Sequence, residues 1–409
     1  MVTTQAWAYR GRDSTDKIVK GQLQASNEDA ALARLRALGL SPISLEEVAP
    51  KTGFNRDIQI PGFTKAVGLK DLAVMSRQMA TMTSAGLTLL RTLTILADQT
   101  THATLTKILT AVKTDVETGI SLSDAMSKHA VVFPPIMINL VRAGETGGFL
   151  EDALNSVADN FESEVKLRDT IKSAMAYPVI VLIMAVVAVI GMLIFIVPVF
   201  EGMFADLGGD LPFATLVLVT LSEVMGWLAP VLAVVGIVFA LWWSRNKHTD
   251  RVRRVVDPIN LKLPVFGPLL TKLAIARFSR NFSTMIGAGV PILQSLNIVG
   301  ETSGNWVVQR ALLKVQHSVS QGRSIAGPLS LEPVFPAMVT QMIAVAEDAG
   351  ALESMLAKIA DFYDQEVQAT TEQLTALIEP LMIAFIGVVI GGMVVALYLP
   401  MFSIFDYVQ

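Results

Sequence analysis

Not one cysteine occurs in the 409 residues. Disulfides, thiolate nucleophiles and cysteine-ligated zinc or iron–sulfur centres are therefore excluded. Charge is scarce too: 17% of residues are charged, against about 25% in an average soluble chain, and 52% are hydrophobic. The mean hydropathy of +0.53 points the same way. This balance excludes a disordered chain, a strongly basic nucleic-acid-binding chain and an ordinary cytosolic enzyme. No phosphate-cradling G-x-x-x-x-G-K-[ST] and no G-x-S-x-G elbow occurs. The four histidines, His102, His129, His248 and His317, stand apart from one another and from paired carboxylates. No catalytic residue, metal site or cofactor is expected.

The most informative absence is positional. None of the 32 Lys and Arg residues lies in 173–244 or 359–409, although these stretches make up nearly a third of the chain. A charge at a bilayer centre costs roughly 2.5–3.5 kcal/mol, so membrane spans should be bare of it. Three runs carry no charge of either sign: Pro178–Phe200, Val224–Trp243 and Pro380–Phe405. A helix of about 20 residues crosses a hydrocarbon core of about 30 Å, so each run is long enough. With no ionisable group inside any run, transport chemistry within the bilayer is disfavoured.

The flanks set the sidedness. Lys166, Arg168 and Lys172 precede the first run, and Arg245, Lys247, Arg251, Arg253 and Arg254 follow the second. Between them, Glu201, Asp206 and Asp210 stand without a positive charge. The positive-inside rule then predicts a cytoplasmic N-terminus and an external C-terminus.

The chain also repeats itself. At an offset of 203, Ser76, Arg77, Thr81, Met82, Ala85 and Gly86 match Ser279, Arg280, Thr284, Met285, Ala288 and Gly289. Gly119 and Ser121 match Gly322 and Ser324. After one deletion the offset is 202, and Phe133-Pro134, Glu145 and Gly148 match Phe335-Pro336, Glu347 and Gly350. The same register carries Pro178 and Pro198 onto Pro380 and Pro400. Leu72, Met75, Met79 and Met82 recur at helical spacing and read as core.

The expected organisation follows. A small α+β domain occupies 1–48 and a linker 49–68. A first helical domain covers 69–177, its span 178–200 and an external loop 201–213. An amphipathic entry and second span cover 214–243, and a connector 244–270. A second helical domain covers 271–379, its span 380–402 and an external tail 403–409. The fold class is thus a mainly α membrane protein with two duplicated helical bundles. In the N-terminal domain, strands are expected at Ala6–Arg10, Ile18–Ala25 and Ile43–Val48, with a turn at Asp13–Asp16. A helix should start at Ser26–Asp29 and close at Gly39.

Four polar residues and four helix-shaping residues are candidates for function. Glu145 and Glu347 sit beside glycines at two matched hairpin bends, where a partner backbone can approach closely. Arg77 and Arg280 are matched cations that could pair with those glutamates. Pro178 and Pro380 should kink, without ending, helices that run from bundle to span. Gly387 and Gly391 form a G-x-x-x-G pattern and predict a close helix contact, within the chain or with a neighbouring protomer.

Several long motifs resemble the type II secretion F and type IV pilus platform protein family. They are the opening W-A-Y-R-G-R-D…K-I-V-K-G-Q-L-Q-A, the pair S-R-Q-M-A-T-M-T-S-A-G-L and S-R-N-F-S-T-M-I-G-A-G-V, and F-P-P…A-G-E-T-G-G-F-L with the A-Y-P span opening. Two departures are Glu347-Asp348-Ala349-Gly350 against Glu145-Thr146-Gly147-Gly148, and Glu379 in place of Tyr177. The resemblance implies a multi-pass platform in the bacterial inner membrane with no enzymatic activity and no direct nucleic-acid contact. Its implied partners are a cytoplasmic hexameric assembly or retraction ATPase, pilin or pseudopilin subunits, other inner-membrane assembly proteins, membrane lipid and further copies of itself. A small permease or channel subunit is the alternative, and would need a polar face beyond Thr215, Thr220 and Ser222.

Overall fold

A computed structural model describes residues 5–12, 18–25, 30–33, 41–47, 66–206, 212–247 and 249–407. They divide into two units, residues 1–65 and 66–409.

The first unit contains a three-stranded antiparallel sheet in the order β2-β1-β3, with β1 at Gln5–Arg12, β2 at Ile18–Ala25 and β3 at Ser41–Glu47. Trp7 faces Leu23 across one ladder and Glu47 across the other. The β1–β3 register shifts between Arg10 and Gly11. A helical turn at 30–33 carries the buried Ala31. The turn at Asp13–Asp16, the helix start at Ser26–Asp29, the cap at Gly39 and most of the linker lie outside the described residues.

In the second unit the duplication becomes a duplicated bundle. The first copy contains α1 (Leu69–Ser84), α2 (Leu89–Gln99), α3 (Ala103–Glu117), α4 (Leu122–Ser127), α5 (Pro135–Gly147) and α6 (Leu150–Gly191). A π-helical turn at Met192–Ile196 and α7 (Val197–Asp206) continue the last helix. Two connecting helices follow, α8 (Phe213–Asn246) and α9 (Asp250–Lys262). The second copy contains α10 (Gly267–Gly287), α11 (Ile292–Thr302), α12 (Trp306–Ser320), α13 (Ala326–Ser330), α14 (Ala337–Ala349) and α15 (Leu352–Tyr407). Both ends of α2, α3 and α5 recur in α11, α12 and α14 at the sequence offsets of 203, 203 and 202.

The cores show why one pattern serves twice. Met75, Met79 and Phe133 are fully buried in the first copy, and their matches Phe278, Phe282 and Phe335 in the second. In the second copy Phe278 lies 5.7 Å from Phe282 and 5.1 Å, edge-on, from Phe335. The first copy fills the same layer with adaptable methionine side chains. Both bundles share one continuous apolar core. Gly148 and Gly350 end α5 and α14 at φ 76° and 66°, the left-handed region where a side chain would clash with its own backbone.

Three helical stretches are long and apolar enough to cross a membrane: Leu150–Met203, Phe213–Asn246 and Leu352–Leu399. Val187, Ile237 and Val388 exemplify the apolar side chains they expose. In water such a surface would be unfavourable; in lipid it is matched. The apolar pair α9 and α10 bends by 116°. Because α10 buries Phe278, Phe282 and Met285 inside the bundle, it reads as core, not as a fourth span. Pro178 lies inside α6, and Pro380 inside α15, so both helices pass unbroken from bundle to span.

Candidate functional site

Each bundle carries the same two polar devices. In the first, a positive-φ glycine and a capping serine start a short helix. Ser121 accepts from the Asp124 N–H at 3.2 Å, and its match Ser324 accepts from Gly327 at 3.2 Å. A glutamate from the next helix completes the cap. Glu145 accepts from the N–H groups of Leu122 at 2.5 Å and Ser123 at 2.9 Å. Glu347 accepts from Ile325 at 2.8 Å and Ala326 at 3.2 Å. Both glutamates are half-buried. Each thereby satisfies amides that open a helix, at its positive dipole end.

The expected pairing of Arg77 and Arg280 with these glutamates is not what forms. Arg77 donates to Glu162 at 2.7 Å through two nitrogens and also to Asp159. Arg280 donates to Asp361 at 3.1 Å and Asp364 at 2.5 Å. The physical reason is helix packing. Arg77 and Arg280 lie on α1 and α10, which run against α6 and α15, while the glutamates, on α5 and α14, are engaged by the amides that open α4 and α13. The four carboxylates are themselves duplicates at offset 202. Yet the two clusters differ. The hydrogen bond from Arg77 holds Glu162 below its ordinary pKa, whereas burial pushes Asp364 above its own, partly offset by Arg280.

The copies are joined side by side. Arg277 pairs with Glu164, with one contact at 3.0 Å, and the Asn160 side-chain amide donates to Asn281 at 2.9 Å. Gln294 donates to Asn139 at 3.0 Å. The residue matching Arg277 is Val74, so this junction is not part of the repeated template.

The spans hold a third device, which sequence reasoning missed. Pro198 and Pro400 are matched, and neither nitrogen carries a hydrogen. In the first span Val197 donates to Met192, one residue beyond the α-register. The carbonyl of Leu193 thus loses its ordinary donor to Met192, and its π-register donor would be Pro198. Ser222 supplies the missing hydrogen. In the third span the ordinary donor to Ala396 would be Pro400, and Thr215 donates there instead at 2.6 Å. Thr215 and Ser222 stand two turns apart on α8 and are buried against Leu193, Leu218, Met393 and Leu397. The connecting helix therefore fastens to both duplicated spans, at the ends away from the bundles. The hydroxyls that could have marked a water-lined path are spent on backbone carbonyls; Thr220 donates to Leu216 in its own helix. Glu223 sits beside Ser222, just outside the charge-free run, and is exposed.

Gly387 and Gly391 make no such contact. Both are exposed, and a methyl group placed on either meets nothing within 4 Å. The contact expected within the chain is absent, because the neighbouring spans pack on the Met393–Leu397 face of α15 instead.

Two copies of one helical bundle, each ending in an apolar helix and joined by a third, define a multi-pass membrane protein. The family described as type II secretion system (T2SS), protein F matches residues 75–198 and again 278–400, and its N-terminal domain matches 5–46. The chain belongs to this family. It is 41% identical over 408 residues to the type IV pilus assembly protein PilC of Myxococcus xanthus, covering 99% of this chain and 96% of that one. It is 42% identical over 401 residues to PilC of Thermus thermophilus, covering 97% and 98%. It is 29% identical over 397 residues to type II secretion system protein F of Vibrio cholerae, covering 97% of each.

Proposed function

We propose that this chain is the inner-membrane platform of a pilus or secretion machine, coupling a cytoplasmic assembly or retraction ATPase to insertion or extraction of pilin subunits. One observation carries the reading: α6 and α15 pass from bundle core to membrane without a break, as stiff rods about 60 and 80 Å long. A torque applied to either bundle reaches the bilayer without a flexible joint. Thr215 and Ser222 hold the far ends of the spans, so a turned bundle tilts its span about that fastening. In this reading both bundles are cytoplasmic, as the flanking Lys and Arg residues favour, and the ATPase supplies all the free energy.

The test is to uncouple rod from bundle. A Gly-Gly pair inserted between Ser173 and Ala174 lies beyond Ile171, which packs on the bundle core, and before the span, and it interrupts α6. The variant should still enter the membrane, and its bundles should still crosslink to the ATPase in intact cells, while filament output falls to background. Normal output, or no crosslink from either bundle in the parent protein, would overturn the proposal.

The open glycine stripe has a place in the same reading. Gly387 and Gly391 would lie against a span of a second copy, since small residues let two helix backbones approach. Gly387→Leu with Gly391→Leu should then reduce the oligomer size of the detergent-solubilised protein, and Gly191→Leu should not. An unchanged size in the double variant would remove the contact.

A further inference from the structure

We propose that the face formed by α9 and the start of α12 binds an anionic phospholipid headgroup, in the leaflet where α8 ends. The proposal rests on the membrane placement of α8 and not on coupling to an ATPase. Position comes first. Phe239, Trp242 and Trp243 form an aromatic cluster, with centroids 6.0–6.4 Å apart, on the last turns of α8. Such aromatics settle at headgroup level. Only residues 247–249 separate α8 from α9. The start of α9 is therefore held within reach of the headgroups by chain length alone.

Charge comes second. Arg245, Lys247, Arg251, Arg254 and Arg310 have no carboxylate within 4.0 Å among the described residues, and all five are exposed. Arg253 differs, turning inward toward Asp257 at 3.6 Å. The guanidinium groups of Arg254 and Arg310 lie 5.6 and 5.3 Å from the ring of Trp306. That stacking holds two like charges together by the ring's negative face. Asp257 accepts from the backbone N–H of Trp306 at 2.7 Å, which ties the start of α12 to α9. A surface cavity of about 520 Å³ opens between the two arginines, lined also by Gln309 and Leu313, with Asp250 as its one acid. Two guanidinium groups with free donors suit the oxygens of a phosphodiester.

An apolar stripe decides between lipid and free phosphate. Arg251, Val255 and Ile259 follow one another at four-residue spacing on α9, and Val255 and Ile259 are 59% and 55% exposed. An amphipathic helix with basic and apolar residues turned outward fits the boundary between headgroups and acyl chains. Sidedness alone would require loop charges, but neither the stacked pair nor the apolar stripe. The first copy lacks the site. Ala103 and Lys107 stand where the second copy has Trp306 and Arg310, and α9 has no counterpart.

The test uses the full-length protein in detergent, with phosphatidylglycerol and phosphatidylcholine of matched chains as probes and bound lipid counted by native mass spectrometry. Phosphatidylglycerol should be retained in preference to phosphatidylcholine. Arg254→Gln and Arg310→Gln should each weaken that retention about fivefold, and together about twentyfold. Lys107→Gln, the first-copy control, should leave it unchanged. Inorganic phosphate, which has no chain to engage Val255 and Ile259, should bind about tenfold more weakly than the lipid or less. Equal retention of both lipids would return this face to a protein partner, and phosphate binding as tight as lipid would make it a plain anion site. Either result, or undiminished phosphatidylglycerol in the folded double variant, overturns the proposal.

Discussion

Thr215→Val should destabilise the membrane-embedded part by about 1–2 kcal/mol, and the cost should vanish when Pro400 is also replaced by alanine. Valine keeps the shape of threonine and removes only the hydroxyl. The carbonyl of Ala396 then has no donor, because Pro400 cannot supply one and the site is buried. Hydrogen bonds between spans average about 0.6 kcal/mol, but stranding a buried acceptor costs more than a balanced exchange. Pro400→Ala restores an N–H in the ordinary helical register, so the hydroxyl becomes dispensable. The same logic couples Ser222→Ala to Pro198→Ala. There the expected relief has a second source, since the π-helical turn at Met192–Ile196 loses the ring that keeps it open. Unfolding of the four variants in mixed micelles measures each cycle. If Thr215→Val costs the same with Pro400 as with alanine, the hydroxyl serves some other purpose and the fastening account fails.

What sequence could show here depended on how local the cause was. The spans were legible because the reason for them, the cost of charge in lipid, acts on each residue alone. The missing Lys and Arg residues therefore mapped onto three apolar helices. The bundles were legible because the duplication repeats the glycines and prolines that punctuate the helices, such as Gly86 and Gly289, Gly119 and Gly322, and Pro134 and Pro336. The hairpin bends were legible too, since Gly148 and Gly350 end their helices in a conformation that favours glycine. Pairing across helices was not. Arg77 finds partners 82 and 85 residues away, and nothing in its neighbourhood says which. A signal existed: Asp159 and Glu162 repeat as Asp361 and Asp364 at the offset of 202 that also carries Glu145 onto Glu347, one deletion after the offset of 203 that matches the arginines. The span fastening had a signal of the same kind. Pro198 and Pro400 each announce an orphaned carbonyl, and Thr215 and Ser222 are hydroxyls seven residues apart on a largely apolar helix. Taken singly, the hydroxyls looked like a sparse polar surface; their meaning appears only beside the prolines.

Glu145→Ala should destabilise the first bundle by about 1–3 kcal/mol, and Glu347→Ala the second by a similar amount. In each case two amides at the opening of a short helix lose their shared acceptor. Helix α4 has six residues and α13 has five, too short to stand without external support. Ser121 and Ser324 each satisfy one further amide, so the loss is partial, not total. Glutamine at either position keeps one acceptor oxygen but no charge for the helix dipole, so it should fall between alanine and the parent. The two sites lie in different copies without shared partners, so their costs should add. A protein held together by about 5–15 kcal/mol would feel the double alanine variant strongly. The measurement is thermal or denaturant unfolding of the purified protein, with filament output followed in parallel. A cap loses stability and output together, and glutamine recovers part of both. Full stability with lost output would instead assign these glutamates to a partner, since a surface contact can be removed without loosening the helix that carries it.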